Sequence, residues 1–292
     1  MPDSALTPER LAELRAWEGR SETLRDEITA APVRNLSATL DRDDPPPQAG
    51  TELPPLWHWL YFLPDYPQGE LGPDGHGRRG GFLPPVPLPR RMWAGGRLTW
   101  HAPLRVGESI ERTSRIGSVT HKSGRSGDLV FVLVQHEVRN AQGLALTEEH
   151  DIVYRPLARP GDAAPAPAPQ AAPADAPWSR EIVPDPVLLF RYSALTFNGH
   201  RIHYDRSYVT EVEGYPGLVV HGPLIATLLA DLARRERPDA ILRSFSFRAV
   251  RPTFDLHPFR VSGRPAGDGR SAQLWAQDQE GWVTMQAEAR FA

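Results

Sequence analysis

Two histidines and an asparagine lie within six residues of one another in the second half of the chain. These are Asn198, His200 and His203, and they precede a glycine–proline step, Gly222-Pro223, that directly follows His221. Histidine has an unperturbed pKa near neutrality, so its imidazole can accept and return a proton at cellular pH. A helix start presents unpaired backbone N–H groups to a developing negative oxygen. A base beside such an anion site is what chemistry next to a thioester carbonyl requires.

Several other kinds of chemistry are disfavoured by the sequence. The chain has no cysteine, which excludes disulfides, thiolate nucleophiles and cysteine-ligated zinc. It contains no GxGxxG or P-loop motif, and no HExxH-type spacing, so we expect no metal at His200, His203 and His221. A net charge of −3 and a pI of about 6.4 give no reason to expect a nucleic-acid surface or a basic membrane patch.

The elements that must position these residues follow an α+β pattern. An apolar stripe predicts a helix from Pro223 to about Arg235, buried against a sheet. Four strand-like runs follow this helix, and long strands fill 97–156 in the first half. Within the first half, Val130, Val132, Val134 and Val138 share one strand face. Both halves end in an antiparallel meander, so we expect an internal structural repeat.

Proline and glycine divide the chain further. A Pro/Ala-rich stretch over 157–178 predicts an extended linker between an N-terminal domain (1–156) and a C-terminal domain (179–292). Near the start, Thr7-Pro8-Glu9 predicts a capped helix, with a second short helix over 22–28 and a third starting near Pro32. We interpret the aromatic run 56–62 as a buried segment rather than a ligand platform, and Gly95-Gly96 as a tight turn.

The termini and apolar runs bear on location. Residues 1–30 contain several acidic side chains and no continuous apolar core, so we expect no secretory signal. No segment reaches the ~18 uninterrupted apolar residues of a membrane-spanning helix. A cytoplasmic protein is therefore the expectation.

The second half resembles the MaoC-like, hydratase-2 branch of the hotdog superfamily. The signature of that branch has an acid, an asparagine two residues later and a histidine five residues after the acid. Asn198, His200 and His203 occupy these three positions, and 220–222 (Val-His-Gly) matches the start of the hotdog helix. The first half, through the segments 17–22 and 92–97, looks like the dehydratase-like N-terminal domain of the same chains.

The resemblance implies a double hotdog, in which two antiparallel sheets each wrap around a central helix and pack as a pseudo-dimer. It implies an enoyl-CoA hydratase or 3-hydroxyacyl-thioester dehydratase, a hydro-lyase. The preferred substrate is a short dicarboxylyl enoyl-CoA such as mesaconyl-C4-CoA or itaconyl-CoA. We expect no metal or redox cofactor, since CoA or a phosphopantetheine arm only carries the substrate. The expected partners are the acyl-CoA, with an acyl carrier protein as the alternative carrier, and a second copy of the chain in a homodimer.

The resemblance also implies roles for individual residues. His203 is the expected base, and the backbone N–H of Gly222 is the expected oxyanion donor. Asn198 stands where the family has an aspartate and cannot exchange a proton at neutral pH, so we expect it to orient water. Arg201 replaces a proline of the motif, and we expect it to meet an acidic acyl chain. The expected substrate contacts are His200, His221, Arg201 and Tyr192.

Three alternatives stay open. One is a 3-hydroxyacyl-ACP dehydratase of fatty acid synthesis, which an apolar tunnel rather than a cation at the end of the acyl pocket would favour. Another is a hotdog thioesterase, although the helix from Pro223 has no acid before Asp231 to activate water. The third is a non-catalytic acyl-thioester binding protein, which the uncharged Asn198 would suit.

Overall fold

The computed structural model describes residues 6–124, 127–156 and 168–292, and in it one antiparallel sheet joins both halves of the chain. The sheet has ten strands in the order β1-β3-β4-β5-β2-β7-β10-β9-β8-β6. The strands are β1 (Ser21–Glu27), β2 (Arg90–Trp100), β3 (Ser109–Gly124), β4 (Gly127–Asn140), β5 (Gly143–Arg155), β6 (Trp178–Ile182), β7 (Leu242–Ala249), β8 (Phe259–Pro265), β9 (Ser271–Gln277) and β10 (Val283–Phe291). The α-helices are α1 (Pro8–Arg15), α2 (Ala30–Thr39), α3 (Pro186–Leu195) and α4 (Gly222–Glu236).

The two halves of the sheet repeat one strand order outward from the centre. The N-terminal half runs β2-β5-β4-β3-β1 and the C-terminal half runs β7-β10-β9-β8-β6. They meet where β2 pairs with β7. The α+β class is therefore confirmed, and the two predicted sheets are joined edge to edge into one.

Two glycines make this junction possible. A Cβ on Gly95 would lie 2.6 Å from the carbonyl oxygen of Phe247, and one on Gly96 would lie 2.9 Å from the ring of the same residue. The predicted turn at Gly95-Gly96 is wrong, because both residues lie inside β2, where the backbones of the two halves approach closely.

Helix α4 is the central helix of the C-terminal half, as predicted. Every residue from Leu224 to Ala233 is buried, and the helix packs on β7, β8, β9 and β10. In the N-terminal half, no helix of comparable length crosses the described part of the sheet. Instead, α1, α2 and a 3-10 helix at Trp57–Leu60 cover it. The N-terminal half therefore leaves room beside its strands.

The N-terminal helices were predicted in part. Thr7 caps α1 by accepting a hydrogen bond from the backbone N–H of Arg10, which confirms the first prediction. Helix α2 confirms the third, but the helix predicted over 22–28 is wrong. That segment is β1, which pairs along its whole length with β3 at the edge of the sheet. Pairing with a neighbouring strand overrides the weak helical preference of a short polar segment.

The aromatic run at 56–62 has two environments. Trp57 and Leu60 are buried in the main core, which confirms the predicted buried segment. Trp59 and Phe62 also line a cavity of about 1180 Å³, so the run forms part of its wall as well.

Only part of the predicted linker lies among the described residues. Residues 157–167 lie outside the described residues. From 168 the chain runs beside the C-terminal half, where Ala171 forms a β-bridge with Trp282 before β6 begins. The domain boundaries stay a prediction. None of the described helices has the length and apolar character needed to cross a membrane.

Candidate active site

The motif loop begins where α3 ends. Phe197 adopts a left-handed conformation with φ of 47°, and the N–H of Asn198 donates to the carbonyl of Ser193 at 2.8 Å. This is the Schellman arrangement that commonly terminates helices, here with a residue other than glycine in the left-handed position. The Asn198 side chain then accepts a hydrogen bond from the backbone N–H of His200 at 3.0 Å. Asn198 therefore shapes its own loop, and its amide nitrogen can still donate to a water.

His203 is held in a form that suits a base. It ends a short 3-10 helix (Arg201–His203), and its Nδ1 lies 2.6 Å from the carbonyl oxygen of Val219. A carbonyl can only accept, so Nδ1 carries the proton and Nε2 keeps its lone pair. Burial lowers the pKa of His203 to about 4, which leaves the ring neutral at pH 7.

His221 supports His203 from behind. The two rings stack with centroids 3.7 Å apart and 17° between their planes. The His221 Nε2 lies 2.8 Å from the hydroxyl of Ser193, and Tyr192 packs edge-on against the same ring. Burial and the neighbouring His203 hold the pKa of His221 well below its usual value. The side chain of His221 is 0% exposed and does not line the cavity. Its predicted contact with the substrate stays a prediction.

The backbone N–H of Gly222 is available as a donor. Gly222 is the first residue of α4, so its N–H has no partner within the helix. No hydrogen bond among the described residues uses it. A Cβ on Gly222 would lie 4.0 Å from the carbonyl of Trp93, its nearest neighbour, so the space beside the Cα of this residue is open.

His203 and Gly222 line the same cavity. Its volume is about 1180 Å³, and both halves of the chain supply its wall. Asn198, His200 and Tyr192 belong to the wall as well. The geometry therefore brings together six of the seven predicted site residues, with Arg201 among them and His221 behind them.

Arg201 lines the cavity, but its charge is already paired. Its guanidinium donates to the carboxylate of Asp205 at 2.7 Å and to the carbonyl of Pro73 at 3.0 Å, and it lies over the ring of Tyr208. Because a paired guanidinium has little to offer a second carboxylate, the predicted contact with an acidic acyl chain is not favoured here. Two other arginines of the C-terminal half differ in position: Arg251 lines the cavity, and Arg248 contacts Gln286 on the sheet.

A loop from the N-terminal half completes the site, and sequence reasoning missed it. Residues 72–77 reach the motif loop, where the N–H of Arg201 donates to the carbonyl of Asp74 at 2.9 Å. His76 packs against His200 with ring centroids 4.0 Å apart. The Nδ1 of His76 lies 3.0 Å from the Asp74 carboxylate. The sequence order Asp-Gly-His at 74–76 was visible, but nothing in it connects this segment to the motif loop.

A second polar group lies at the N-terminal end of the cavity, and it too was missed. The carboxylate of Glu148 is fully buried and contacts His58 at 2.8 Å, His150 at 2.6 Å and the indole N–H of Trp59 at 2.8 Å. Burial raises the pKa of Glu148, but the charges and hydrogen bonds of the two histidines outweigh it and leave that pKa well below its usual value. His136 stands beside His150, with a buried Nε2 that has no partner among the described residues.

One group of side chains in the site has the spacing of metal ligands. Asp74, His76 and His200 each place one nitrogen or oxygen atom within 4.8 Å of the others. The hydrogen bond between Asp74 and His76 accounts for the closeness of that pair without an ion. The histidines considered from the sequence, His200, His203 and His221, do not form such a group within the described residues. The expectation of a site without metal or cofactor stays a prediction.

This chain is similar to known hydratases and dehydratases that act on thioesters. Residues 56–255 match the model of a family described as hydroxyacyl-thioester dehydratase type 2. The chain is 50% identical over 277 residues to a mesaconyl-C(4)-CoA hydratase of Chloroflexus aurantiacus, which covers 94% of this chain and 97% of the relative. It is 29% identical to the mitochondrial hydroxyacyl-thioester dehydratase type 2 of Schizosaccharomyces pombe, over 82% of this chain and 88% of the relative.

The fold has solved counterparts. A Mycobacterium tuberculosis protein described as a double hotdog superimposes with a TM-score of 0.56 at 14% identity, over 94% of this chain and 96% of that one. This likeness concerns the fold alone, and it confirms the predicted double hotdog. The family match spans well over half of the chain, and it includes the motif loop, the start of α4 and the Asp74–His76 loop. The chain therefore belongs to the hydroxyacyl-thioester dehydratase type 2 family.

Proposed function

We propose that this protein adds water to the C2–C3 double bond of an enoyl thioester and catalyses the reverse dehydration. The observation that carries the proposal is the placement of a neutral imidazole, His203, and an unpaired helix-start amide, Gly222, on the wall of one cavity. A hydration needs both groups at the same acyl unit.

The reaction follows from these two groups. The thioester oxygen accepts a hydrogen bond from the Gly222 N–H, where the start of α4 favours negative charge. Water attacks C3 while its proton passes to Nε2 of His203, and the enolate oxygen forms at Gly222. The imidazolium then returns this proton to C2, and His203 is neutral again. One well-placed oxyanion donor contributes ~3 kcal/mol to lowering such a barrier.

Two alternatives fit the geometry less well. A thioesterase would need a carboxylate near α4, but Asp231 is buried and paired with Arg42 at 2.6 Å and Arg235 at 2.7 Å. It holds the helix to the N-terminal segment and does not line the cavity. A simple binding protein has no need of a neutral, oriented histidine beside an open amide. Hydration uses both.

The cavity also favours a substrate with a carboxylate on its acyl chain. Arg91 and Arg112 line it, and neither has a carboxylate within ion-pair distance among the described residues. The Nε of Arg112 is buried without a hydrogen-bond partner. Burial lowers the pKa of Arg112, and the negative charges of Glu148, Glu22 and Asp26 offset this only in part. An anion entering the cavity would therefore gain a charge-assisted contact. A fatty acyl chain would leave these cations unpaired.

One of the relatives supports the same substrate class. The 50% identical relative from Chloroflexus aurantiacus is named for mesaconyl-C(4)-CoA, a short branched dicarboxylyl thioester. We therefore propose mesaconyl-C4-CoA as the first substrate to test, with itaconyl-CoA second. A 3-hydroxyacyl-ACP is the alternative, and the cations on the wall argue against it.

The function is tested by incubating the protein with mesaconyl-C4-CoA, crotonyl-CoA and a long-chain enoyl-CoA. Loss of the conjugated absorbance, no free thiol, and a product heavier by one water would support the proposal. Release of free thiol would indicate a thioesterase instead, and an unchanged panel would indicate a binding protein. Faster turnover of the long-chain thioester than of mesaconyl-C4-CoA would refute the dicarboxylyl preference.

Arg112 gives a sharper test of the substrate class. Arg112→Met keeps the apolar stem and removes the charge, and its matched control, Arg115→Met, changes an exposed arginine on the same strand. A charge-assisted hydrogen bond contributes ~1.5–3 kcal/mol, so we expect KM for mesaconyl-C4-CoA to rise about 10- to 100-fold in Arg112→Met alone. KM for crotonyl-CoA should stay unchanged. An equal effect on both thioesters would place Arg112 outside the acyl pocket.

The remaining expectations are proposals of the same kind. We propose coenzyme A as the carrier, and comparing CoA with carrier-protein thioesters of one acyl group tests that choice. Homodimerisation and a cytoplasmic location also stay predictions, which a measured solution mass and fractionation of the native cell would check.

A further inference from the structure

The MaoC-like motif that this loop resembles has an acid at the position where this chain has Asn198. The oxygen of the Asn198 side chain already accepts from the N–H of His200, and the amide nitrogen, which stands in place of a second carboxylate oxygen, can only donate. A second acceptor is needed to hold the water while His203 removes one of its protons. The wall of the cavity offers one from the other half of the chain.

The loop 72–77 is built to lie against the motif loop. Gly75 has φ of 87°, and a Cβ there would come within 1.9 Å of the carbonyl oxygen of Gly199. The Arg201 backbone and side chain donate to the carbonyls of Asp74 and Pro73. Contact this close, made by backbone groups of both loops, fixes the position of His76 relative to the motif.

Asp74 determines which nitrogen of His76 faces the cavity. Both carboxylate oxygens of Asp74 contact His76, one at Nδ1 at 3.0 Å and the other at the backbone N–H at 3.1 Å. Nδ1 therefore carries the proton, and Nε2 is an acceptor. Nε2 makes no hydrogen bond to any described residue, and His76 lines the cavity beside His200 and His203.

Burial keeps His76 neutral, while the charges around it act on its pKa in both directions. Asp74 and His200 face it from the two loops, and Arg79 and Arg91 lie near it on the N-terminal side. Burial lowers the pKa of His76, and the hydrogen bond to Asp74 only partly offsets this. A neutral imidazole with a fixed tautomer is an acceptor at pH 7.

We propose that His76, oriented by Asp74, holds the attacking water in place of the carboxylate that the motif lacks at position 198. As the water oxygen bonds to C3, one of its protons passes to Nε2 of His203 and then to C2. The other stays on the new hydroxyl, hydrogen bonded to Nε2 of His76. In the dehydration direction His76 holds the 3-hydroxyl. No net proton is gained or lost. This inference rests on the proposed hydration.

The test compares His76→Ala, His76→Gln and Asp74→Ala with the wild type on the best substrate of the panel. We expect kcat to fall about 100-fold in His76→Ala with KM within about 3-fold, because the lost contact belongs to the water. His76→Gln, whose amide oxygen can accept in place of Nε2, should stay within about 10-fold of the wild type. Asp74→Ala should fall between the two.

The matched control is a second histidine–aspartate pair outside the cavity. His121 and Asp128 lie 2.8 Å apart on β3 and β4, and neither lines the cavity. His121→Ala should leave kcat unchanged. Circular dichroism and a thermal melt on every variant separate a lost water contact from a lost fold.

A compensating substitution decides between holding water and packing. Adding Asn198→Asp to His76→Ala returns an acceptor to the motif position, and we expect kcat to recover at least about 10-fold. Retention of wild-type kcat in His76→Ala overturns the inference, as does a loss that neither His76→Gln nor Asn198→Asp relieves. A stoichiometric divalent metal in the purified wild type, lost in His76→Ala, would also overturn it. A wild type inactive on the whole panel overturns the proposed function itself, and this inference falls with it.

Discussion

The pH dependence of the reaction tests the state of His203 directly. An ordinary histidine base, with a pKa of 6.5, is roughly 90% protonated at pH 5.5, and its rate falls about tenfold from that at pH 7.5. His203 has its pKa lowered to about 4 by burial. At pH 5.5 it would be only ~3% protonated, so kcat/KM should stay near its value at pH 7.5. We expect a flat profile down to about pH 5 and a fall below it.

The substrate must not titrate in the same range. The phosphates of CoA and the carboxylate of a mesaconyl group both do, so a crotonyl thioester of N-acetylcysteamine is the substrate for this assay. Loss of its conjugated absorbance under kcat/KM conditions reports on the free enzyme. A tenfold fall between pH 7.5 and 5.5 in a chain that is still folded would refute the buried, neutral base.

The folded state itself responds to pH through the same residue. The unfolded chain binds a proton at His203 near pH 6.5 and the folded chain only near pH 4. The contribution of His203 to the free energy of unfolding is therefore fully present above about pH 6.5. It declines by up to about 3 kcal/mol as the pH falls toward 4. Activity at pH 5.5 must accordingly be read beside a circular dichroism spectrum at that pH.

Three substitutions test other parts of the site. His203→Ala should lower kcat by about 10²- to 10⁴-fold and leave the thermal melt close to wild type, and near-normal turnover would remove this residue from the base role. Glu148→Gln removes a buried charge from its three donors and should destabilise the fold by about 3 kcal/mol, seen as a lower urea midpoint. Gly75→Ala should lower kcat by pushing its loop off the Gly199 carbonyl, while Gly50→Ala, at the same φ of 87° with no neighbour within 4 Å, should not. Equal effects of the two glycine variants would show that backbone strain, rather than the contact, causes the loss.

Local patterns in the sequence predicted most of the C-terminal half. The apolar stripe of α4 and the four strands after it are where periodicity placed them, because each buries its own regular face. The motif spacing brought Asn198, His200 and His203 to one wall for the same reason: they lie in one short loop. The position of His221 behind His203 could not be predicted, because it depends on a stacking contact that sequence spacing does not contain.

The contributions of the N-terminal half could not be predicted in this way. Asp74 and His76 are more than 120 residues from the motif loop, and they reach it only because the two half-sheets join at β2 and β7. Glu148 reads from sequence as one of several charged residues in a strand. Its buried contacts combine His150, two residues away on the same strand, with His58 and Trp59 from a remote part of the chain. Long-range pairing of this kind leaves no periodic signal.

The two halves share one strand order but differ in what covers their strands, and that difference makes the site possible. In the C-terminal half α4 fills the space beside the sheet, and the N–H of its first residue, Gly222, is the proposed oxyanion donor. In the N-terminal half, short helices and loops leave a cavity whose polar wall carries Arg112 and His136. A long helix in the N-terminal half would fill the proposed acyl pocket, whereas the loss of α4 from the C-terminal half would remove the proposed oxyanion donor. A repeat of two identical halves could supply only one of these features at a time, so the pocket and the oxyanion donor require halves that have diverged in opposite ways.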